Sequence, residues 1–494
     1  MLEHVPALQV ALPLVAAPLI VLVRSRRFAW LATTVVSYLC LLFSIQLAWR
    51  VAASGPVSYA IGSWPPPWGI EYRVDALSAF VLVAVSLTAS FVAPYAQRSI
   101  AVEVARDRQY LMYAMYCLSL AGLLGIVITG DAFNLFVFLE ISSLASYVLV
   151  ALGQRRQALM AAYQYMLMGT VGATFYVIGV GLLYLMTGTL NLVDMAERLP
   201  AVEDARPVLV ALAFITVGMG LKLALFPLHH WLPNAYAYAP SMATAFLAAT
   251  GTKVSVYVLL RYYFTVFDPV PLFSHLPTEE VFVALSVAAM IVASFIAVFE
   301  KDVKRLFAWS SVAQIGYITL GIGVDNQSSL TGSIVHLLNH GVTKGAIFLL
   351  LGGVALRAGL AALPLRSLAG LGRRMPLTAF GLVIAGLSLV GVPGTAGFIT
   401  KWYLVLGALE RGWWWLVAAI VGSSLIAVAY VWRVVEAMYL HPGDAGAPHR
   451  REAPPAMLAA AGAMVLLCVY FGFETGFSVG GAADAAAFLL RGLR

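Results

Sequence analysis

The chain has 494 residues, 62% of them hydrophobic and only 11% charged, with a mean hydropathy of +0.90. Ordinary soluble domains carry about 25% charged residues, so a water-soluble fold is excluded. The net charge of +7 is spread over short segments between apolar runs and forms no basic patch, so it does not indicate a nucleic-acid partner.

Apolar runs long enough to cross a bilayer recur along the whole chain, which predicts an all-α integral membrane protein. The alternating segments of about ten residues that a transmembrane barrel needs are absent. The first run, Val5–Val23, is followed by Arg24, Arg26 and Arg27 and lacks a small-residue cleavage site, so it is expected to be a retained span. In all, about fourteen spans are predicted, centred near 14, 39, 84, 120, 142, 172, 220, 253, 290, 315, 344, 392, 425 and 465. With the segment after the first span on the inside, inner loops hold 18 of the arginines and lysines and outer loops 8, the bias expected of an even span number with both termini outside. The outer segment Ala52–Val74 is too short for a soluble core, and Trp64 and Trp68 within it suit an interfacial belt. The tail Gly480–Arg494 is expected to form a short amphipathic helix at the surface.

Cys40, Cys117 and Cys468 lie in separate apolar segments without CxxC spacing, so neither a metal site nor a disulfide framework is expected. No GxGxxG follows a strand and no Walker A stretch occurs. No cofactor and no catalytic residue are therefore expected on this chain.

Five charges stand in the middle of apolar runs: Glu140, Lys222, Lys253, Lys344 and Lys401. Each costs about 2.5–3.5 kcal/mol at the centre of a membrane helix. Together they cost on the order of 10 kcal/mol or more, comparable with the stability of a whole domain. A chain selected only to fold would carry leucine there, so these groups are read as charge carriers. Glu140 is the one carboxylate at mid-span and the natural partner for one of the lysines, whose identity spacing does not decide. Asp131, at the start of the same run, is expected to cap the helix.

Lys222 precedes Phe226-Pro227-Leu228-His229-His230, and Pro227 must kink or break its helix. Broken helices at membrane depth line cavities or ion sites. The freed carbonyls would favour a cation, and Lys222 lies one turn before Pro227. The plain alternative is a proline kink with a snorkelling lysine. A second break is expected at Gly391-Val392-Pro393-Gly394, with Lys401 eight residues after Pro393. One interrupted helix in each half, each with one lysine, points to a repeated transporter core.

Lys253 lies near the centre of its own span, where a neighbouring carboxylate would favour its charged form and burial would oppose it. His336, His340 and Lys344 are four residues apart and drift by only about 40° per step, so they share a helix face over roughly 12 Å. Such a face can pass protons if water fills the gaps, with histidine packing as the alternative. A metal on His336 and His340 lacks an evident third ligand.

The runs Asp131 to Glu140, Lys222 to Tyr236, Lys253 to Arg261, Asp302 to Ser311 and Pro393 to Lys401 resemble the antiporter-like subunits of respiratory complex I, membrane-bound hydrogenases and Mrp-type multisubunit cation/proton antiporters. The resemblance covers about residues 70 to 440. It implies fourteen helices with two inverted five-helix repeats, each holding one broken helix. The expected organisation is N-terminal helices at 1–105, a first repeat at 106–267, a second at 280–440, and a C-terminal span and tail at 441–494.

The family's glutamate–lysine pair falls on Glu140 and Lys222, its central relay lysine on Lys253 and its terminal relay residue on Lys401. The histidine-rich helix falls on His336, His340 and Lys344, with His229, His230, Pro227 and Pro393 as supporting positions. Complex I's M-type subunit has glutamate where Lys401 stands, and some members have histidine where this chain has Gln314. The L-type and A-type members carry C-terminal extensions that this chain lacks. Lysine at both 344 and 401 resembles the D-type component of Mrp antiporters or its hydrogenase-associated relatives, with the complex I N-type subunit as rival.

The resemblance implies a multi-pass subunit of a prokaryotic cell membrane that handles protons, with Na⁺ as a candidate exchanged ion. Other membrane subunits and lipid are its expected partners. Two further readings are an oxidoreductase subunit with a quinone pocket between helices, and an inert membrane scaffold whose buried charges tolerate leucine.

Overall fold

The computed structural model describes residues 2–202, 206–267, 277–359, 362–442 and 451–491. The chain opens with α1 (Val5–Val23) and α2 (Arg26–Ser54), followed by strands β1 (Val57–Ala60) and β2 (Glu71–Val74). Next come α3 (Ala76–Glu103), α4 (Gln109–Ile128), α5 (Ala132–Ala151), α6 (Arg156–Thr187), the short α7 (Leu192–Arg198), α8 (Arg206–Leu223), α9 (Trp231–Tyr238) and α10 (Ser241–Arg261). The second half holds α11 (Thr278–Ala288), α12 (Ser294–Phe299), α13 (Val303–Val324), α14 (Gln327–Ala358), the single turn α15 (Leu371–Arg374), α16 (Pro376–Val390), α17 (Ala396–Glu410), α18 (Trp414–Tyr439), α19 (Pro455–Phe473) and α20 (Gly476–Leu490).

Among the described residues thirteen helical segments are long and apolar enough to cross a membrane, α11 and α12 counting as one across a π-helical turn at Ala289–Ala293. A fourteenth is supplied by the segment Leu365–Arg374 together with α16, bent by 118°, and the run predicted near residue 392 is divided between α16 and α17, of 15 residues each. Side-chain caps set several helix starts. The carboxylates of Asp75, Asp131 and Asp302 accept from the backbone N–H groups of Ser78, Asn134 and Arg305 at 3.0, 2.6 and 3.0 Å, and Asn326 with Ser329 forms a capping box on α14.

The helices sort by polarity. α10, α13 and α14 hold a dense set of buried polar side chains, Lys253, His336, His340 and Lys344 among them, and are almost wholly enclosed, whereas in α2, α18 and α19 about two thirds of the residues in the most apolar stretch are not buried. A helix with polar groups at membrane depth must turn them toward protein, so the most polar spans form the centre of the bundle. Small residues bring the walls together: a Cβ on Gly218 of α8 would lie 2.6 Å from the carbonyl oxygen of Gly172 on α6.

Both breaks occur. α8 stops at Leu223, three residues ahead of the residue preceding Pro227, and Ala224 adopts a left-handed φ of +62° before α9 resumes at Trp231. α16 stops at Val390, and Gly391 and Gly394 take φ values of +86° and +83° before α17 begins. Only glycine adopts that region without strain, so the Gly-Val-Pro-Gly run ends the helix from both sides of the proline.

Three readings of the sequence are refined or revised. The outer segment after α2 is a two-stranded antiparallel hairpin, Val57 opposite Val74, because the buried Glu71 accepts from Ser58 Oγ at 2.5 Å and from Asn191 Nδ2 at 2.8 Å; Trp64 and Trp68 remain exposed. The C-terminal helix begins at Gly476 and is no surface amphipath: Ala482, Ala485, Ala486 and Leu489 are buried against α3 and α14. Lys304 and Arg261, read as loop charges, are both buried. Arg450 and Arg494 of the orientation count lie outside the described residues.

Arg261 makes a two-pronged ion pair with Asp75, Nη1 to Oδ2 at 2.7 Å and Nη2 to Oδ1 at 2.9 Å, and also donates to Ser78 Oγ and Tyr257 Oη. Burial pushes the Asp75 carboxyl up, but the Arg261 guanidinium and the bonds from Arg261 and the Ser78 N–H outweigh it and hold it below the usual carboxylate range. Its stabilising contribution is therefore complete above the unfolded value of about 3.9 and lost only as pH falls through the lower folded value. We expect Arg261→Leu to destabilise the detergent-solubilised protein by about 3–5 kcal/mol, and Asp75→Leu/Arg261→Leu to recover most of that loss, as read by thermal unfolding.

Candidate functional site

The site begins on α5. Glu140, Ser143 and Tyr147 lie at helical spacing on one side, and Lys222, the penultimate residue of α8, reaches them across the helix interface. Lys222 Nζ donates to Glu140 Oε1 at 3.3 Å and to Ser143 Oγ at 2.7 Å. The Lys222 side chain is 5% exposed and that of Glu140 is 25% exposed, so the pair sits at the rim of the core. Glu140 borders an outward apolar stripe formed by Phe133, Val137, Leu144 and Val148.

The structure thus assigns Glu140 its lysine and corrects one expectation: Lys222 does not sit on the freed carbonyls of its own broken helix. The carbonyl of Leu221 is taken by Trp231 Nε1 at 2.9 Å and that of Gly220 by the N–H of Leu225 at 2.8 Å.

Beyond Lys222 lies a cavity of about 30 Å³, bounded by Ser143, Ser146, Tyr147, Thr252 and Ser255 among others. It has room for one or two water molecules and the polar partners to hold them. On its far wall, Thr252 Oγ1 accepts from Lys253 Nζ at 3.3 Å, and Lys253 also donates to the carbonyl of Ala248. α10 and α14 touch closely here, since a Cβ on Gly341 would lie 2.9 Å from the Ala249 carbonyl oxygen. His340 is consequently within electrostatic reach of Lys253 as well as of His336 and Lys344. Its two ring nitrogens are buried with no protein partner among the described residues.

His340 and His336 stack with ring centres 5.2 Å apart and planes 7° from parallel. His336 then bonds on both sides, Nδ1 to Thr400 Oγ1 at 3.0 Å and Nε2 to Gln314 Oε1 at 2.9 Å. Lys344 leaves the shared face. Its ammonium turns to α13, where it donates to the carbonyl of Phe307 at 2.7 Å and to Ser310 Oγ, and it lies 5.8 Å from the centre of the Phe307 ring.

Lys401 occupies the place expected for Lys222. Its Nζ donates to the carbonyls of Leu389 at 3.2 Å and Val390 at 2.7 Å, which the break after α16 leaves without helical partners, and to Ser424 Oγ at 2.7 Å. The negative end of the α16 dipole favours a cation there, and the Tyr317 ring lies 4.7 Å from the ammonium. Gly391 makes the approach possible, because a Cβ there would come within 2.7 Å of Lys401 Cδ.

Of the supporting positions, Pro227 and Pro393 lie in the two breaks. His229 stacks between Phe226 and His230 and meets the edge of Trp309; neither histidine bonds a lysine of the site among the described residues. Sequence reasoning passed over the hydroxyl partners Ser143, Thr252, Thr400 and Ser424. The first three had a signal, each adjacent to, or one turn from, a buried charge. It also passed over Lys304, whose Nζ donates to Ser241 Oγ at 3.0 Å, while Glu103 accepts from the N–H and the hydroxyl of Ser241. Among the described residues no three histidine, cysteine or carboxylate side chains converge to hold a metal ion.

A protein-family model described as NADH:quinone oxidoreductase/Mrp antiporter, TM, matches residues 129–427, from the cap of α5 to α18. The chain belongs to that family. Glu140, Lys222, Lys253, His336, His340, Lys344 and Lys401 all lie inside the match. The N-type subunit of the NADH-quinone oxidoreductase of Desulforudis audaxviator is 43% identical over 459 residues, covering 92% of this chain and 90% of the relative. The D-type component of the Na⁺/H⁺ antiporter of Alkalihalophilus pseudofirmus is 31% identical over 368 residues, covering 74% and 73%. Among solved structures, a chain of the Mrp complex from a Dietzia species superposes with a TM-score of 0.89 at 27% identity, covering 99% of this chain and 97% of that one.

Removing one partner of the Glu140–Lys222 pair leaves the other charge beside apolar helices without its bond. We expect Lys222→Met to lower stability by about 2 kcal/mol and the double variant Glu140→Gln/Lys222→Met to be less destabilised than the sum of the single changes, by thermal unfolding in detergent.

Proposed function

We propose that this chain is the proton-translocating membrane subunit of a multisubunit monovalent cation (Na⁺)/H⁺ antiporter, working through a buried relay of glutamate, lysines and histidines. The observation that carries this reading is the run of ionisable and hydroxyl groups across the buried centre. It passes from Glu140 and Lys222 through Ser143 and the water-sized cavity to Thr252 and Lys253, and from the stacked pair His340 and His336 to Thr400 and Lys401. Such groups lower stability in an apolar core, and proton transfer is the task that requires them at these spacings. Each lysine has carbonyl, hydroxyl or carboxylate acceptors, so each can hold a proton and release it when a neighbouring charge changes.

In this reading the 106–267 and 280–440 segments are the two inverted repeats, each built round one broken helix, and the chain works in a prokaryotic cell membrane. The apolar stripe beside Glu140 is then covered by lipid or by a neighbouring subunit, in keeping with the multisubunit Mrp complex that the fold resembles. The 43% identity to an N-type subunit of NADH-quinone oxidoreductase favours one alternative, a proton-pumping subunit of a complex I-like oxidoreductase.

In everted membrane vesicles carrying the whole complex, Glu140→Gln or Lys222→Met is expected to cut the pH gradient by more than about tenfold while the chain inserts at its normal level. Undiminished gradients in both variants would refute the relay. The driving reaction separates the two assemblies: a gradient raised by added Na⁺ supports the antiporter, and one raised only by NADH supports the complex I-like pump.

A further inference from the structure

Gln314 lies on α13, buried between His336 and the broken end of α16. Its Oε1 is 2.9 Å from His336 Nε2, and its Nε2 is 3.4 Å from the carbonyl oxygen of Leu389. A carbonyl oxygen only accepts, so the amide nitrogen must face Leu389 and the amide oxygen must face His336. That oxygen also only accepts, so His336 Nε2 must carry a proton whether the ring is neutral or charged. The other nitrogen, Nδ1, meets the hydroxyl of Thr400 at 3.0 Å, and a hydroxyl can donate to the bare nitrogen or accept from the protonated one.

From this geometry, and resting on the proton-transport reading above, we propose that Gln314 is a positioning residue that locks the tautomer of His336. It pins the Nε2 proton and restricts proton exchange to Nδ1, on the side of Thr400 and the helix that carries Lys401. The imidazole then does not pass a proton from one nitrogen to the other. A proton reaches Nδ1 as the Thr400 hydroxyl gives its own hydrogen to the nitrogen and takes a replacement from water or an ammonium on the Lys401 side, and release runs the same steps in reverse, so His336 stores a proton there and does not conduct one through its ring. An amide has no low-energy form that takes the Nε2 proton and passes it on, so the Gln314 side is closed.

The lock is tied to the helix break, because Gln314 and Lys401 share the Leu389 carbonyl at 3.4 and 3.2 Å. The charges and rings that face His336 are Lys253 from α10, His340 and Lys344 from α14, Lys401 from α17 and Tyr317 from α13. None of these hydrogen-bonds the ring among the described residues.

Two measurements test the lock. Nitrogen-15 NMR of histidine-labelled full-length protein in lipid, with His336→Asn to identify the signal, should show a neutral ring protonated at Nε2 with a bare Nδ1. Gln314→Met, close in volume and unable to accept, should give a mixture of both neutral tautomers. An Nδ1-protonated ring in the wild type, or an unchanged ring in Gln314→Met, would overturn the proposal. The wild-type spectrum decides even if the variant does not fold.

In vesicles, Thr400→Val should reduce the gradient by about tenfold or more and Thr400→Ser should restore most of it, since the hydroxyl is what serves Nδ1. Wild-type rates in Thr400→Val would also overturn it. The tautomer is read without transport. A chain that pumps nothing yet shows the Nε2-protonated ring would sink the functional reading and support the lock.

Discussion

Every buried amine in this protein must find acceptors in a medium that offers none, and the architecture follows from how each is supplied. Apolar side chains surround the bundle centre, so a lysine there needs a carboxylate, a hydroxyl or a backbone carbonyl released from a helix. Lys222 is met by Glu140 and Ser143, Lys253 by Thr252 and the Ala248 carbonyl, and Lys344 by Phe307 and Ser310. Lys401 is met by two carbonyls at a break and by Ser424. These are different solutions to one constraint. The helices that carry Lys253, Lys344 and their acceptors, α10, α13 and α14, are the most enclosed of the bundle.

The two broken helices therefore do different work. In the first, the loosened carbonyls are absorbed locally by Trp231 and by a tight turn, which leaves Lys222 free to face α5. In the second, the carbonyls become the ligands of the lysine, and the absence of a side chain at Gly391 lets the amine reach them. The two broken helices thus hold their lysines unlike one another, Lys222 paired with a charge at the rim of the core and Lys401 held at a helix dipole within it.

Much of this was legible in the residues. Charges inside apolar runs marked the site, prolines and glycines marked the breaks, and the four-residue spacing of His336 and His340 placed two rings on one face. The limits were equally physical. A spacing of four could not say that Lys344 would swing to α13, because a long flexible side chain reaches any acceptor within its arc. Arg261 and Lys304 read as loop charges because they stand at the ends of apolar runs. Their burial depends on Asp75 and Ser241, the first of them 186 residues away.

The sequence by itself determined the class of fold, the number of spans, the breaks and the residues that carry charge, since each is a local property of composition, turn chemistry and the cost of a charge in oil. Only the tertiary structure decided the pairings: which lysine meets Glu140, which broken helix cradles an amine, and which histidine nitrogen faces a hydroxyl. Those choices depend on which helix faces lie within about 3 Å of one another across the bundle, a distance over which hydrogen bonds form or fail and which no single stretch of chain contains.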